Sequence, residues 1–120
     1  MTERRAMGSL EATVLQQLWR SENPLTPAQV QEALGGDLAY TTIMTILTRL
    51  WKKGLAARER SGRAFAYSPA VTEPEFLAER MQGELVRTKD RQAVLSRFVD
   101  KLSLKDTVAL RDLLRQMDEP

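Results

Sequence analysis

This chain contains no cysteine and no histidine. Without cysteine there is no disulfide, no zinc–thiolate site and no thiol nucleophile. Without histidine the commonest general base and the commonest transition-metal ligand are both missing. Aromatic residues make up only 6% of the sequence, so aliphatic side chains must build the core. No apolar run approaches the ~20 residues that a membrane-spanning helix needs. The first residues, MTERRAMGSLEA, lack the apolar centre of a signal peptide. Gly35-Gly36-Asp37 has neither the lysine nor the spacing of a phosphate-binding loop. The acids Glu73, Glu75 and Glu79 share one helical stretch and read as cap and surface charges. These absences argue against an enzyme and imply no cofactor and no metal. The expectation is a cytoplasmic protein that does not insert into membranes.

What is present is an uneven distribution of charge. The net charge of the 120 residues is only +2. Residues 41–69 nevertheless carry Arg49, Lys52, Lys53, Arg58, Arg60 and Arg63 against the single acid Glu59. The segments on either side are neutral or acidic. A localised basic block fits a nucleic-acid footprint. It also fits a solvated basic face, so charge alone does not decide between them.

The same block has the clearest pattern of structure. Ile43, Ile46, Leu47 and Leu50 recur at helical spacing and define one face of a helix ending at Gly54. Thr41, Thr45, Thr48, Arg49 and Lys52 fall on another face. Strands are expected over Leu55–Arg60 and Ala64–Ser68, joined at Ser61-Gly62. Phe65 and Tyr67 share one side of the hairpin and should pack on the helices. Trp51 is expected in the core.

Upstream, Ser9 is a candidate cap for a first helix with Val14, Leu15, Leu18 and Trp19 on its inner face. Arg4 and Arg5 belong to a frayed N-terminal arm. Leu25 is a candidate for one short strand. Thr26, Pro27 and Gln29 form a capping box with proline at the first helical position. Val30, Ala33 and Leu34 should face inward, and Gly35-Gly36 ends that helix. A short helix, a glycine turn and a longer helix make a helix-turn-helix pattern. Threonine is a poor helix former, so Thr41, Thr42, Thr45 and Thr48 in one helix ask for a reason. In a DNA major groove a threonine offers a methyl group and a hydroxyl to base edges or phosphates. The plainer alternative is that Thr41 or Thr42 caps the helix and the others are tolerated surface. Met44 and Arg49 flank the reading face, and Arg58, Arg60 and Arg63 flank the hairpin tip.

After Pro69 the pattern changes to three amphipathic segments. Thr72, Glu73, Pro74 and Glu75 open the first, whose stripe is Phe76, Leu77, Met81, Leu85 and Val86. The second carries Val94, Leu95, Phe98, Val99 and Leu102. The third starts at Ser103 and Asp106 and carries Leu110, Leu113, Leu114 and Met117. Helices this short cannot close a core alone, so a second copy of the chain is expected to cover them; the alternative is that they pack back on the N-terminal domain in a monomer. The fold class is therefore mainly α with a small antiparallel β-hairpin. Residues 1–70 form a winged helix-turn-helix domain, and residues 71–120 form a helical dimerisation region.

The run TTIMTILTRLWKKGLAARERSGRAFAYSP resembles the core of the penicillinase-repressor family of winged-helix regulators, and LEATVLQQLW and LTPAQVQEAL resemble its first two helices. The resemblance implies a dimeric repressor of β-lactam-resistance or other stress genes that binds double-stranded DNA at inverted-repeat operators. It implies that Thr41, Thr42, Met44, Thr45, Thr48 and Arg49 lie on the recognition helix and that Arg58, Arg60, Ser61 and Arg63 lie on the wing. Resistance-linked members of the family are inactivated by a regulatory protease that cuts an Asn–Phe bond in the dimerisation region. The matching bond here is Arg97–Phe98, a departure from that pattern. Copper-responsive relatives carry a C-terminal cysteine cluster, which this chain lacks. Three alternatives stand beside this reading: a winged-helix module whose basic wing docks an acidic protein partner, a hydrolase with a carboxylate-only metal site, and a repressor released by a small ligand in the dimerisation region.

Overall fold

The computed structural model describes residues 7–119. The order of elements is α1 (Met7–Arg20), α2 (Pro27–Ala33), α3 (Tyr40–Lys52), β1 (Ala56–Ser61), β2 (Ala64–Pro69), α4 (Glu73–Leu85), α5 (Arg91–Lys101) and α6 (Leu104–Asp118). Two compact units divide between Leu77 and Ala78.

The first unit is built on α1, α2 and α3. Val14, Leu15, Val30, Ile43, Ile46, Leu47 and Leu50 are each 0% exposed. Burying a side chain of this kind contributes about 1.5–3 kcal/mol, so this cluster dominates the stability of the unit. Each helix has its own start and stop. Thr26 Oγ1 accepts from the Gln29 amide at 3.3 Å while Gln29 Oε1 accepts from the Thr26 amide at 2.9 Å, which completes the capping box of α2. Gly35 (φ +75°) and Gly54 (φ +77°), each directly after the C-cap, end α2 and α3 in the left-handed region, where other residues are strained.

The hairpin pairs Ala56 with Pro69 through Ser61 with Ala64. The loop is therefore Gly62-Arg63, one step beyond the expected Ser61-Gly62, and Ser61 belongs to the strand. Gly62 takes φ +63° at the first loop position, which a II′ turn requires. Leu25 exchanges backbone hydrogen bonds with Tyr67 at 2.9 and 2.7 Å, so the expected short strand exists as a bridge that ties the hairpin to the α1–α2 side. The start of α4 is anchored in this unit as well. Trp19 Nε1 donates to the Val71 carbonyl at 2.9 Å, and the Trp19 and Phe76 rings meet edge-on at 5.8 Å.

Several expectations need correction. Ser9 does not cap α1, which already runs from Met7; the Ser9 carbonyl accepts from Thr13 Oγ1 at 2.9 Å. Arg4 and Arg5 lie outside the described residues. Ala33 is exposed in the last turn of α2. Trp51 is on the surface, 39% exposed, because the inner positions of α3 are filled by Ile43, Ile46, Leu47 and Leu50. Neither Thr41 nor Thr42 caps α3; Ala39 holds the N-cap with no side-chain hydrogen bond. Phe76, expected at a dimer interface, is 7% exposed and packs in the core of the first unit. It carries the first turn of α4 with it, which moves the structural division beyond the boundary expected at residue 70.

In the second unit, Asp90 Oδ1 caps α5 through the Ala93 amide and Ser103 Oγ caps α6 through the Asp106 amide, both at 3.1 Å. Neither α5 nor α6 has a buried residue. Leu77 at the division and Met81, Val94, Leu95, Phe98, Val99, Leu113, Leu114 and Met117 within the unit are all exposed, while Leu85, Leu102 and Leu110 are half-buried. Between α4 and α5 an open groove of about 630 Å³ is lined by Ala78, Met81, Leu85, Val94, Leu95 and Phe98 among others.

Candidate nucleic-acid interface

The outer face of α3 follows directly from burial of its inner face. With Ile43, Ile46, Leu47 and Leu50 sealed in the core, a 3.6-residue period turns Thr41, Thr45, Thr48 and Lys52 outward. Thr41, Met44, Thr45, Arg49 and Lys52 are exposed, and Thr42 and Thr48 are half-buried. Met44, Thr45, Thr48, Arg49 and Lys52 line one shallow depression of about 370 Å³. Thr45 Oγ1 donates to the Thr41 carbonyl at 3.0 Å, which satisfies the hydroxyl proton and leaves the oxygen lone pairs and the methyl facing out. Arg49 and Lys52 sit in the last turn, where cations complement the helix dipole.

The basic residues of the block do not share one environment. Lys53 leaves the outer face. Its Nζ lies 2.8 Å from Oε1 and 3.1 Å from Oε2 of Glu11, whose residue exposure is 4%. Arg58 lies against aromatic rings. Its Cζ is 3.5 Å from the Trp51 ring centroid and 4.0 Å from that of Phe65, and Nη1 is 3.5 Å from the Tyr67 hydroxyl. Arg60 is exposed, 5.4 Å from the Phe65 centroid. Ser61 and Arg63 are exposed at the hairpin tip. The exposed cations of the block outside that ion pair and the Trp51–Arg58–Phe65 stack are therefore Arg49, Lys52, Arg60 and Arg63.

Glu11 was missed from the sequence, and Trp51 was placed in the core rather than beside Arg58. A signal existed for the first. Glu11, Val14, Leu15 and Leu18 fall at i, i+3, i+4, i+7, so the carboxylate sits on the apolar stripe of α1 and requires a partner in the core. Among the described residues no cluster of three or more acids could hold a metal ion, and no helix is long and apolar enough to cross a membrane.

A helix-turn-helix followed by a two-stranded hairpin beside its second helix defines a winged-helix protein. Residues 7–116 match the sequence profile of the family described as Penicillinase repressor, and the chain belongs to that family. It is 39% identical over 123 residues to the "Transcriptional regulator BlaI" of Mycobacterium tuberculosis, a match that covers 98% of this chain and 89% of the relative. Among solved structures, it resembles the DNA binding domain of the repressor BlaI at 27% identity and TM-score 0.49, over 61% of this chain and 90% of that one. The YusO protein of Bacillus subtilis shares the fold at TM-score 0.51 and 17% identity, over 90% of this chain and 72% of that one.

Proposed function

We propose that this protein is a DNA-binding transcriptional repressor that works as a homodimer, without catalytic activity, in the cytoplasm. The observation that carries the reading is the outer face of α3. Four threonines that serve neither as caps nor as core stand beside Arg49 and Lys52, on a helix whose opposite face is sealed. Inserted in a major groove, that face presents methyl groups and hydroxyl oxygens to base edges and cations to the flanking phosphates. Arg60 and Arg63 on the wing add contacts that set register without reading sequence. The name of the 39% identical relative, a transcriptional regulator, supports this reading.

The homodimer is supported by the second unit. The exposed stripes of α5 and α6 exceed what a monomer normally leaves in water. A second copy covers identical stripes with identical stripes about a two-fold axis. Two reading helices related by that axis match an inverted-repeat operator with half-sites one or more helical turns apart, ~34 Å per turn.

The reading is tested by fluorescence anisotropy with promoter fragments, the gene's own included, across a salt series with competitor DNA. Selective binding of one fragment by two subunits, with a steep loss at higher salt, is expected. Equal and weak binding to all fragments would sink the proposal and leave the basic wing free to serve an acidic protein partner.

A further inference from the structure

We propose that Arg58 is a positioning residue that locks the wing to the reading helix, and that it makes no phosphate contact. The inference deepens the DNA-binding reading and rests on it. By charge and location Arg58 belongs with Arg60 and Arg63 as a wing cation. Its surroundings say otherwise. Its guanidinium lies 3.5 Å from the centroid of Trp51, in the last turn of α3, and 4.0 Å from that of Phe65, on β2. Nη1 reaches the hydroxyl of Tyr67, its register partner across the hairpin. One side chain thus touches α3, and from β1 it reaches β2.

The need for such a tie is visible in the connection between these elements. The chain leaves α3 through Gly54 at φ +77° and enters β1 two residues later. Glycine at this junction restricts the backbone less than any other residue. Ala56 and Tyr67 of the hairpin are buried in the core. On the same face of the hairpin, nearer its tip, the Trp51–Arg58–Phe65 stack ties the hairpin to α3. A planar guanidinium stacks on rings, whereas a lysine ammonium is a compact, strongly hydrated charge. A guanidinium held this way has both π faces covered and one of its five N–H groups directed at Tyr67, and Arg58 is half-buried where Arg60 and Arg63 are exposed, so it is less open to a phosphate than they are. It sets where Arg60 and Arg63 stand relative to the threonine face of α3.

Two charge-preserving variants separate the roles. Arg58→Lys and Trp51→Leu leave the phosphate-neutralising charge in place and remove the stack. With a promoter fragment that the wild type binds, each is expected to lower affinity on the order of tenfold. The double variant should bind no more weakly than either single one, and the slope of log affinity against log salt should equal the wild-type slope. Arg58→Gln should leave the slope unchanged as well, whereas losing a phosphate contact reduces it by about one. Hydrogen exchange on the free protein supplies the readout that needs no DNA. Arg58→Lys should speed exchange of the β1 and β2 amides and leave those of α1 unaltered.

Lysine restoring wild-type affinity, a slope reduced by about one in Arg58→Gln, or unchanged exchange in the hairpin would each overturn the lock. Failure of the wild type to bind any fragment selectively would instead remove the DNA-binding reading, with the exchange data still deciding whether Arg58 holds the wing.

Discussion

Glu11 and Lys53 form an ion pair across the first unit, with Lys53 Nζ 2.8 Å from the carboxylate of a glutamate whose side chain is 6% exposed. The pair joins the second turn of α1 to the C-cap of α3, and so fixes the end of α3 against the body of the domain. Removing the lysine strands a carboxylate in the core, which costs more than the pair contributes. Lys53 itself is 56% exposed, and solvent reduces the penalty. Lys53→Met should lower stability by about 1–3 kcal/mol in a urea titration. Lys52→Ala, one residue earlier and fully on the surface, should change stability by less than ~0.5 kcal/mol. In DNA binding the order reverses: Lys52→Ala should reduce the salt slope by about one, and Lys53→Met should leave it intact.

The threonine face makes a different kind of prediction. Thr45→Ala and Thr48→Ala replace a poor helix former with the best one, so folding should not suffer. Each change should alter sequence preference at one or two operator positions by about 1 kcal/mol. Arg63→Ala should weaken binding to all sequences alike. The comparison is made by competition against operators with single base-pair changes. Unaltered preference in both threonine variants would displace the reading face from α3.

The second unit is tested by charge. Leu95 and Phe98 are exposed on α5 and line the groove against α4. Leu95→Glu or Phe98→Glu should convert a homodimer to a monomer in light scattering, because an unpaired carboxylate in an apolar interface is expensive. The Trp19 environment in the first unit should be unaffected. A wild-type chain that is already monomeric at tens of micromolar would count against the dimer.

The capping box that opens α4 depends on pH. Backbone and side-chain hydrogen bonds with Thr72 hold the Glu75 carboxyl below the ordinary carboxylate range. A depressed folded value means that the charged form stabilises the fold. The contribution is complete above the unfolded pKa and is lost as pH falls through the folded value. Amide shifts of Thr72 and Glu75 in an acid titration should therefore move at lower pH than those of an unpaired glutamate. In Glu75→Gln that acid-side step should disappear.

Much of the site was legible because its signals are short-range. The Thr26–Gln29 box, the glycine at Gly54 and the spacing of Ile43, Ile46, Leu47 and Leu50 act within one or two turns, and the fold keeps all of them. The spacing also dictates which threonines face out, since burial of one helix face leaves the other no choice. The single-residue errors at the hairpin have a local cause too. Ser61-Gly62 and Gly62-Arg63 are both acceptable turn pairs, and only the register of Ala56 with Pro69 selects the second.

What the chain determined by itself is the set of elements, the main apolar stripes of α1 and α3 and the place of the positive charge, all of which follow from periodicity and local capping. Tertiary structure decided what each charged and aromatic side chain meets. Lys53 and Glu11 are 42 positions apart, and Trp19 and the Val71 carbonyl are 52 apart. Trp51 went to the surface because the core was already full, and there it met Arg58. These partners depend on how whole helix faces pack, and a side chain's own neighbours in sequence carry no information about the face it will meet.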